Sequence, residues 1–192
     1  MLFSYHTERW LPHPVERVFD FFADPDNLPL LMPRWQSPRI ENVSILPPPR
    51  ETGSARPPTV AAGVGTRLTL SFRPFPLSPL RIRWESEITE FSWNHNFCDE
   101  QIRGPFSSWK HCHTFSPASW HGVDATLVAD TVEYEVPFGS MGRLAHLLFL
   151  RGEIEHTFAY RQRRLEKILA SIKSQSPRSK HDWAVPPESA AS

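Results

Sequence analysis

Between Ser140 and Ser174 the chain carries one continuous helical pattern, and whatever surrounds it must accommodate a rod of that length. From Leu144 the apolar residues recur at Leu147, Leu148, Ile154, Phe158, Leu165, Ile168, Leu169 and Ile172, a three-and-four spacing that keeps them on one side of a helix. Ser140 offers an N-cap, and no proline intervenes before Pro177. Thirty or so helical residues span roughly 45 Å, so the partner surface must be broad. Arg151 and Arg161 interrupt the apolar stripe, and Gly152 sits mid-helix. Taken singly, each arginine is expected on the rim of the buried face with its head snorkelling to water. Taken together, the interruptions point to a partner that leaves space beneath the helix, which makes the chain a candidate container.

The partner is legible in the middle of the chain, where the period changes to two. Leu68, Leu70 and Phe72 alternate with Arg67, Thr69 and Ser71, and Leu80, Ile82, Trp84, Ser86 and Ile88 alternate with Arg81, Arg83, Glu85 and Glu87. One dry face and one wet face is the pattern of an antiparallel sheet covered on one side. Further strands are expected over 2–11, 39–46, 95–103, 106–115 and 126–136, with Gly104-Pro105 as the turn between 95–103 and 106–115. Pro14 opens a first helix with Val15, Val18, Phe19 and Phe22 on one side, and a shorter helical segment with Leu28, Leu30 and Leu31 ends by Pro33. The expected architecture is α+β: seven antiparallel strands, strongly curved, with two short helical segments after the first strand and the long helix lying across the concave face. Residues 1–174 read as a single ligand-binding domain. Within it, residues 47–64 form a proline-rich exposed connection, and beyond it residues 175–192 form a disordered tail.

Composition narrows the classes of function. Lys+Arg and Asp+Glu both total 21, so no overall field favours nucleic acid or an anionic membrane. The most apolar run, Leu144–Leu150, is far short of the about 20 residues that cross a bilayer. Two cysteines, Cys98 and Cys112, are too few for a secreted disulfide framework, and the start of the chain reads directly as a strand, so a cytoplasmic setting is expected. With 13 Phe and 7 Trp, the chain has enough aromatic surface to line a pocket or fill a core. No glycine-rich nucleotide loop and no nucleophile elbow is present.

The chemistry concentrates on one strand. Its odd residues are Trp109, His111, His113 and Phe115, its even ones Ser108, Lys110, Cys112 and Thr114. Trp and Phe favour burial more than Lys110 does, so the two histidines are expected to point inward. On the next strand the inward set is Val128, Asp130, Val132, Tyr134 and Val136, which places an aspartate among valines where it needs a partner. The preceding strand adds Asp99 beside Phe97 if Cys98 and Glu100 face out, a choice that a one-residue slip would reverse. Four uses are open for this cluster. It can orient the polar head of a ligand whose apolar body lies against Trp84, Phe97, Trp109, Tyr134 and Phe158. It can be a satisfied network that fixes strand register. His111 or His113 with Asp130 can act as a general acid/base pair. The same three can also be metal ligands, although the further His or Cys ligands that confirm zinc are missing, so neither a metal nor a cofactor is assigned.

The strings Pro14-x-x-x-Val18-Phe19-x-Phe21-Phe22, Asn27-Leu28, Gly104-Pro105-Phe106-x-x-Trp109-x-His111-x-His113-x-Phe115 and Asp130-x-Val132-x-Tyr134-x-x-Pro137-x-Gly139-x-x-Gly142 resemble the START-like, or SRPBCC, ligand-binding superfamily. The narrower likeness is to a bacterial branch near its polyketide cyclase/dehydrase-type and coenzyme-Q-binding members, over residues 2–172. The resemblance implies a helix-grip fold with a hydrophobic cavity between sheet and helix. It also implies a small hydrophobic or amphipathic partner such as a lipid, quinone or polyketide, with a cyclase or dehydratase activity and a protein-interaction role as alternatives. It transfers no catalytic residue.

Overall fold

The computed structural model describes residues 1–49, 60–120 and 122–171. The order is β1 (Leu2–Leu11), α1 (Val15–Ala23), α2 (Leu28–Leu31), β2 (Arg39–Ser44), β3 (Arg67–Phe72), β4 (Ile82–Ser92), β5 (Asn96–Arg103), β6 (Ser108–Trp120), β7 (Val123–Glu135), α3 (Gly139–Ala145) and α4 (Arg151–Ser171). The seven strands form one antiparallel sheet in the order β1-β7-β6-β5-β4-β3-β2, so the first strand closes onto the last and every other pairing is between neighbours in sequence. This is the expected helix-grip arrangement. Part of the proline-rich connection and all of the expected tail, with Ile172 before it, lie outside the described residues.

Two buried clusters hold the halves together. Phe19 of α1, fully buried, meets Phe91, Phe97 and Phe115 edge-on with centroids 5.1 to 6.1 Å apart, joining α1 to β4, β5 and β6. Leu165, Ile168 and Leu169 of α4 complete that cluster. Ile154 and Phe158 pack with Val132 and Tyr134 of β7 in the second. Such offset and edge-to-face pairs contribute about 0.5–1.5 kcal/mol each beyond their buried area.

The long helix differs from its sequence pattern in three ways. It starts at Gly139 behind Phe138, which has a left-handed backbone (φ 67°), and no side chain caps it, so Ser140 is not the cap. Gly142 is obligatory there, because a Cβ would lie 1.9 Å from the Pro137 carbonyl oxygen. Between α3 and α4, His146–Leu150 form a wide π turn. One extra residue in a turn rotates the preceding segment by about 100° relative to a regular helix. Leu144, Leu147 and Leu148, expected on the buried stripe, are therefore exposed, and His146 and Leu150 face inward with Ile154 and Phe158. Leu80 is likewise corrected: it precedes β4 and is exposed.

The two cysteines are also corrected. Cys98 and Cys112 are directly paired positions of β5 and β6, 4.1 Å apart at Cα, and are joined as a disulfide. With the two cysteines joined, cysteine usage no longer supports the cytoplasmic expectation. No helix among the described residues is long and apolar enough to cross a membrane.

Candidate functional site

Between the helix and the sheet lies a cavity of about 520 Å³. Its apolar wall includes Phe22 and Leu31 from the two short helices, Trp84, Phe106 and Trp109 from the sheet side, and Phe158 from the long helix. Trp84 stands edge-on to both Phe106 and Trp109, at 5.6 and 5.1 Å, forming a continuous aromatic surface. Asp99, His111, His113 and Arg161 bring polar groups to this space.

Strand register assembles the polar group. Asp99 is the direct cross-strand partner of His111, and His113 is the direct partner of Asp130. Cross-strand partners on one face stand close enough for their side chains to meet. Asp130 is buried behind both imidazoles, with its Oδ1 3.0 Å from His111 Nε2 and 2.7 Å from His113 Nδ1. The first is a hydrogen bond; the second is in contact by distance but outside hydrogen-bond alignment. His111 Nδ1 lies 3.7 Å from Asp99 Oδ1 on the cavity side. Arg161 donates from Nη2 to His113 Nε2 at 3.3 Å, and its guanidinium lies over the rings of Phe22 and Phe158 at 5.4 and 5.9 Å. A nitrogen that accepts from arginine carries no proton, so neutral His113 has its proton on Nδ1, facing Asp130.

The electrostatics separate these groups. Burial, reinforced by the nearby charges of His111 and Arg161, pushes the His113 imidazolium down to about 3 despite Asp130. Burial alone would raise Asp130, but His113, His111 and Arg161 outweigh it and hold the carboxylate well below its ordinary range. Asp99 goes the other way, raised chiefly by burial against the opposing pull of His111 and Arg161. One carboxylate is thus fixed as an anion and the other is biased towards holding a proton.

Of the nine residues singled out from sequence, Trp84, Phe97, Asp99, Trp109, His111, His113 and Phe158 line the cavity. Asp130 and Tyr134 do not: Asp130 anchors the histidines from behind, and Tyr134 bonds His146 Nε2 through its hydroxyl at 2.8 Å. Asp99, His111 and His113 bring ligand atoms within 4.8 Å of one another, so the set able to gather round a cation contains Asp99 in place of Asp130. The guanidinium beside His113 opposes that use with its own positive charge. Sequence reasoning missed Arg161 as a site residue by placing it on the rim. Its position three after Phe158 and four before Leu165, both buried, was the available signal.

Residues 11–161 match the family model described as polyketide cyclase / dehydrase and lipid transport. No curated protein matches at the level of sequence. Among solved structures, TTHA0849 from Thermus thermophilus superposes with a TM-score of 0.63 at 20% identity, covering 89% of this chain and 99% of its own. Norcoclaurine synthase from Thalictrum flavum, in complex with dopamine and hydroxybenzaldehyde, gives 0.58 at 17% identity over 91% and 90%. Ara h 8.0201 gives 0.54 at 10% identity over 89% and 99%. At these identities the likeness is one of fold.

Proposed function

Because the chain belongs to the polyketide cyclase / dehydrase and lipid transport family, we propose that it binds and carries a small amphipathic molecule, lipid-, quinone- or polyketide-like, inside the sheet-helix cavity. The observation that carries this reading is a cavity of about 520 Å³ whose wall is mainly aromatic and aliphatic, with Asp99, His111, His113 and Arg161 grouped on it. That volume falls within the range of small-molecule sites, about 300–1,000 Å³. Apolar burial at about 25 cal/mol per Å² supplies affinity. Asp99, His111 and Arg161 supply orientation: the carboxyl faces a hydroxyl or amine, and the guanidinium faces a carbonyl or acidic oxygen. Native mass spectrometry of the purified chain, before and after exposure to a mixed lipid and quinone extract, tests it. Retained or acquired mass of a few hundred daltons is expected, and an empty protein that takes up nothing refutes the reading.

A second reading is favoured by the opposed carboxylates. Two titratable groups pushed apart by their surroundings are the usual basis for assigning acid and base. With Asp99 biased towards its proton and Asp130 holding His111, the cavity is equipped to pass a proton to or from a bound carbonyl, the chemistry of a cyclase or dehydratase. His111→Gln separates the two readings: an enzyme loses turnover and keeps ligand affinity, whereas a carrier loses affinity alone.

A further inference from the structure

We propose that the end of the fold formed by the β3–β4 loop, the β5–β6 turn and the start of the long helix docks onto the surface of an anionic lipid bilayer. Antiparallel topology puts these segments together: β3, β5 and β7 all finish at this end of the sheet, and Pro74, Phe106 and Phe138 line the same cavity. Each segment carries large apolar side chains in solvent. Leu77 is 92% exposed, Phe138 82% and Met141 77%, Ile102 is exposed beside the β5–β6 turn, and Leu144, Leu147 and Leu148 follow along the helix. Large apolar side chains exposed together at one end of a fold are the usual mark of an interaction site.

The β3–β4 loop is built to display its leucine. Ser78 is buried and its hydroxyl is hydrogen-bonded with the backbone of Leu80, while Arg81 ties the loop to the carbonyl oxygens of Ser37 and Ser71. This frame holds Leu77 at its tip in a left-handed backbone (φ 62°), a conformation that favours glycine.

Charge identifies the occupant. Between Phe72 and Trp84, between Gln101 and Lys110, and between Val136 and Gly152 there is no Asp or Glu, on a chain whose acidic and basic totals are equal. Arg73, Arg83, Arg103 and Arg143 stand in these segments and form no ion pair among the described residues. The balanced totals that argued against an anionic partner thus conceal a segregated end. A second copy of the chain is disfavoured, because a two-fold contact through this surface would set these arginines against their own copies, with Glu85 bordering them opposite Arg103 on β4. Anionic headgroups complement them, and the exposed side chains reach past the headgroups to the acyl boundary, as interfacial apolar faces do. Docking here would turn the Phe106 and Phe138 side of the cavity towards the bilayer.

Flotation of the full chain with vesicles of phosphatidylcholine, alone or with phosphatidylglycerol, tests the proposal whether or not the cavity holds a ligand. Wild type should float with the anionic vesicles and be released by high salt. Arg103→Gln and Arg143→Gln should each weaken binding about fivefold, the effect of about one arginine near a charged surface. Leu77→Ser with Leu148→Ser should reduce it more than tenfold while the melting temperature stays unchanged, since both side chains are exposed. Flotation that is absent, equal on neutral vesicles, or untouched by these variants overturns the proposal. So does a concentration-dependent dimer abolished by Leu148→Ser, which would assign the surface to a second copy.

Discussion

His113 Nδ1 and Asp130 Oδ1 lie 2.7 Å apart because their residues occupy directly paired positions on β6 and β7. Arg161 donates to the other ring nitrogen of His113, so a buried anion, a neutral imidazole and a cation are arranged in series. The consequences for stability follow from how each group would titrate in the unfolded chain.

Acidification should destabilise the protein from about the ordinary histidine range downward. Unfolded His113 takes up a proton near 6.5, whereas the folded residue resists down to about 3. Between those values the unfolded state binds more protons, so stability rises with pH and falls as pH is lowered through that window. From pH 6.5 to 5 the loss from this residue should be about 2 kcal/mol. Asp130, depressed in the folded state, extends the loss to still lower pH as its own protonation is forced. Urea denaturation across pH 4.5 to 7 reads the slope, and His113→Phe should flatten it. An unchanged slope in that variant would remove His113 as the source.

Arg161 should control the titration of His113 more than it controls the fold. Its charge helps keep the imidazole neutral, and its guanidinium is only partly buried between Phe22 and Phe158. In Arg161→Met the methylene stem is retained, so the loss of stability should stay near about 1 kcal/mol. The His113 titration, followed by its ring carbon shifts in NMR, should move upward. A downward or absent shift would contradict the geometry described for Arg161.

What the sequence disclosed and what it withheld can be traced to particular residues. The facing of β6 was legible because Trp109 and Phe115 compete with Lys110 for the interior, and period two then carries His111 and His113 inward with them. The cross-strand pairs were legible in principle from the turn. A hairpin centred on Pro105 pairs residues equidistant from it, and both Cys98 with Cys112 and Asp99 with His111 satisfy that condition. The disulfide was missed because cysteine count was weighed against a secreted framework and the register was left open. The π turn at His146–Leu150 had no such signal: Leu147, Leu148, Phe149 and Leu150 suit a regular buried helix equally well, and tertiary contacts of His146 with Tyr134 and Phe3 decide the phase.

Removing the disulfide should cost the fold but leave the cavity cluster in place. Cys98 and Cys112 close a segment with sequence separation 14, for which the chain-entropy account gives about 3 kcal/mol. Cys98→Ser with Cys112→Ser should therefore lower the denaturation free energy by about 2–4 kcal/mol. The same shift should appear in wild type on adding reductant, and not in the double variant. A reductant effect that persists without the cysteines would show that it arises elsewhere.

Two glycines of the long helix should respond in opposite directions to the same substitution. At Gly142 an added Cβ meets the Pro137 carbonyl oxygen at 1.9 Å, so Gly142→Ala must displace the backbone that enters α3 and should destabilise by about 1–3 kcal/mol. At Gly152 nothing lies within 4 Å of the added atom. There alanine restores helix propensity and should stabilise by about 0.5–1 kcal/mol. Thermal melts of the two single variants provide the comparison, and destabilisation in both would mean that the helix is constrained at Gly152 by something other than its own backbone.

Filling the cavity should separate binding from stability. Ser86 is buried on β4, lines the cavity, and sits between Leu68 and Gln101 on the neighbouring strands. In a close-packed core a change to tryptophan would be strained by about 1–3 kcal/mol. Here the added indole enters open space beside apolar walls, so Ser86→Trp should cost less than about 1 kcal/mol or stabilise. Uptake of a hydrophobic probe such as a fluorescent fatty acid should nevertheless fall at least tenfold, with the disulfide and the His111–Asp130 hydrogen bond unaffected. Undiminished uptake in a folded Ser86→Trp protein would place the binding of that probe outside the cavity and count directly against the carrier reading.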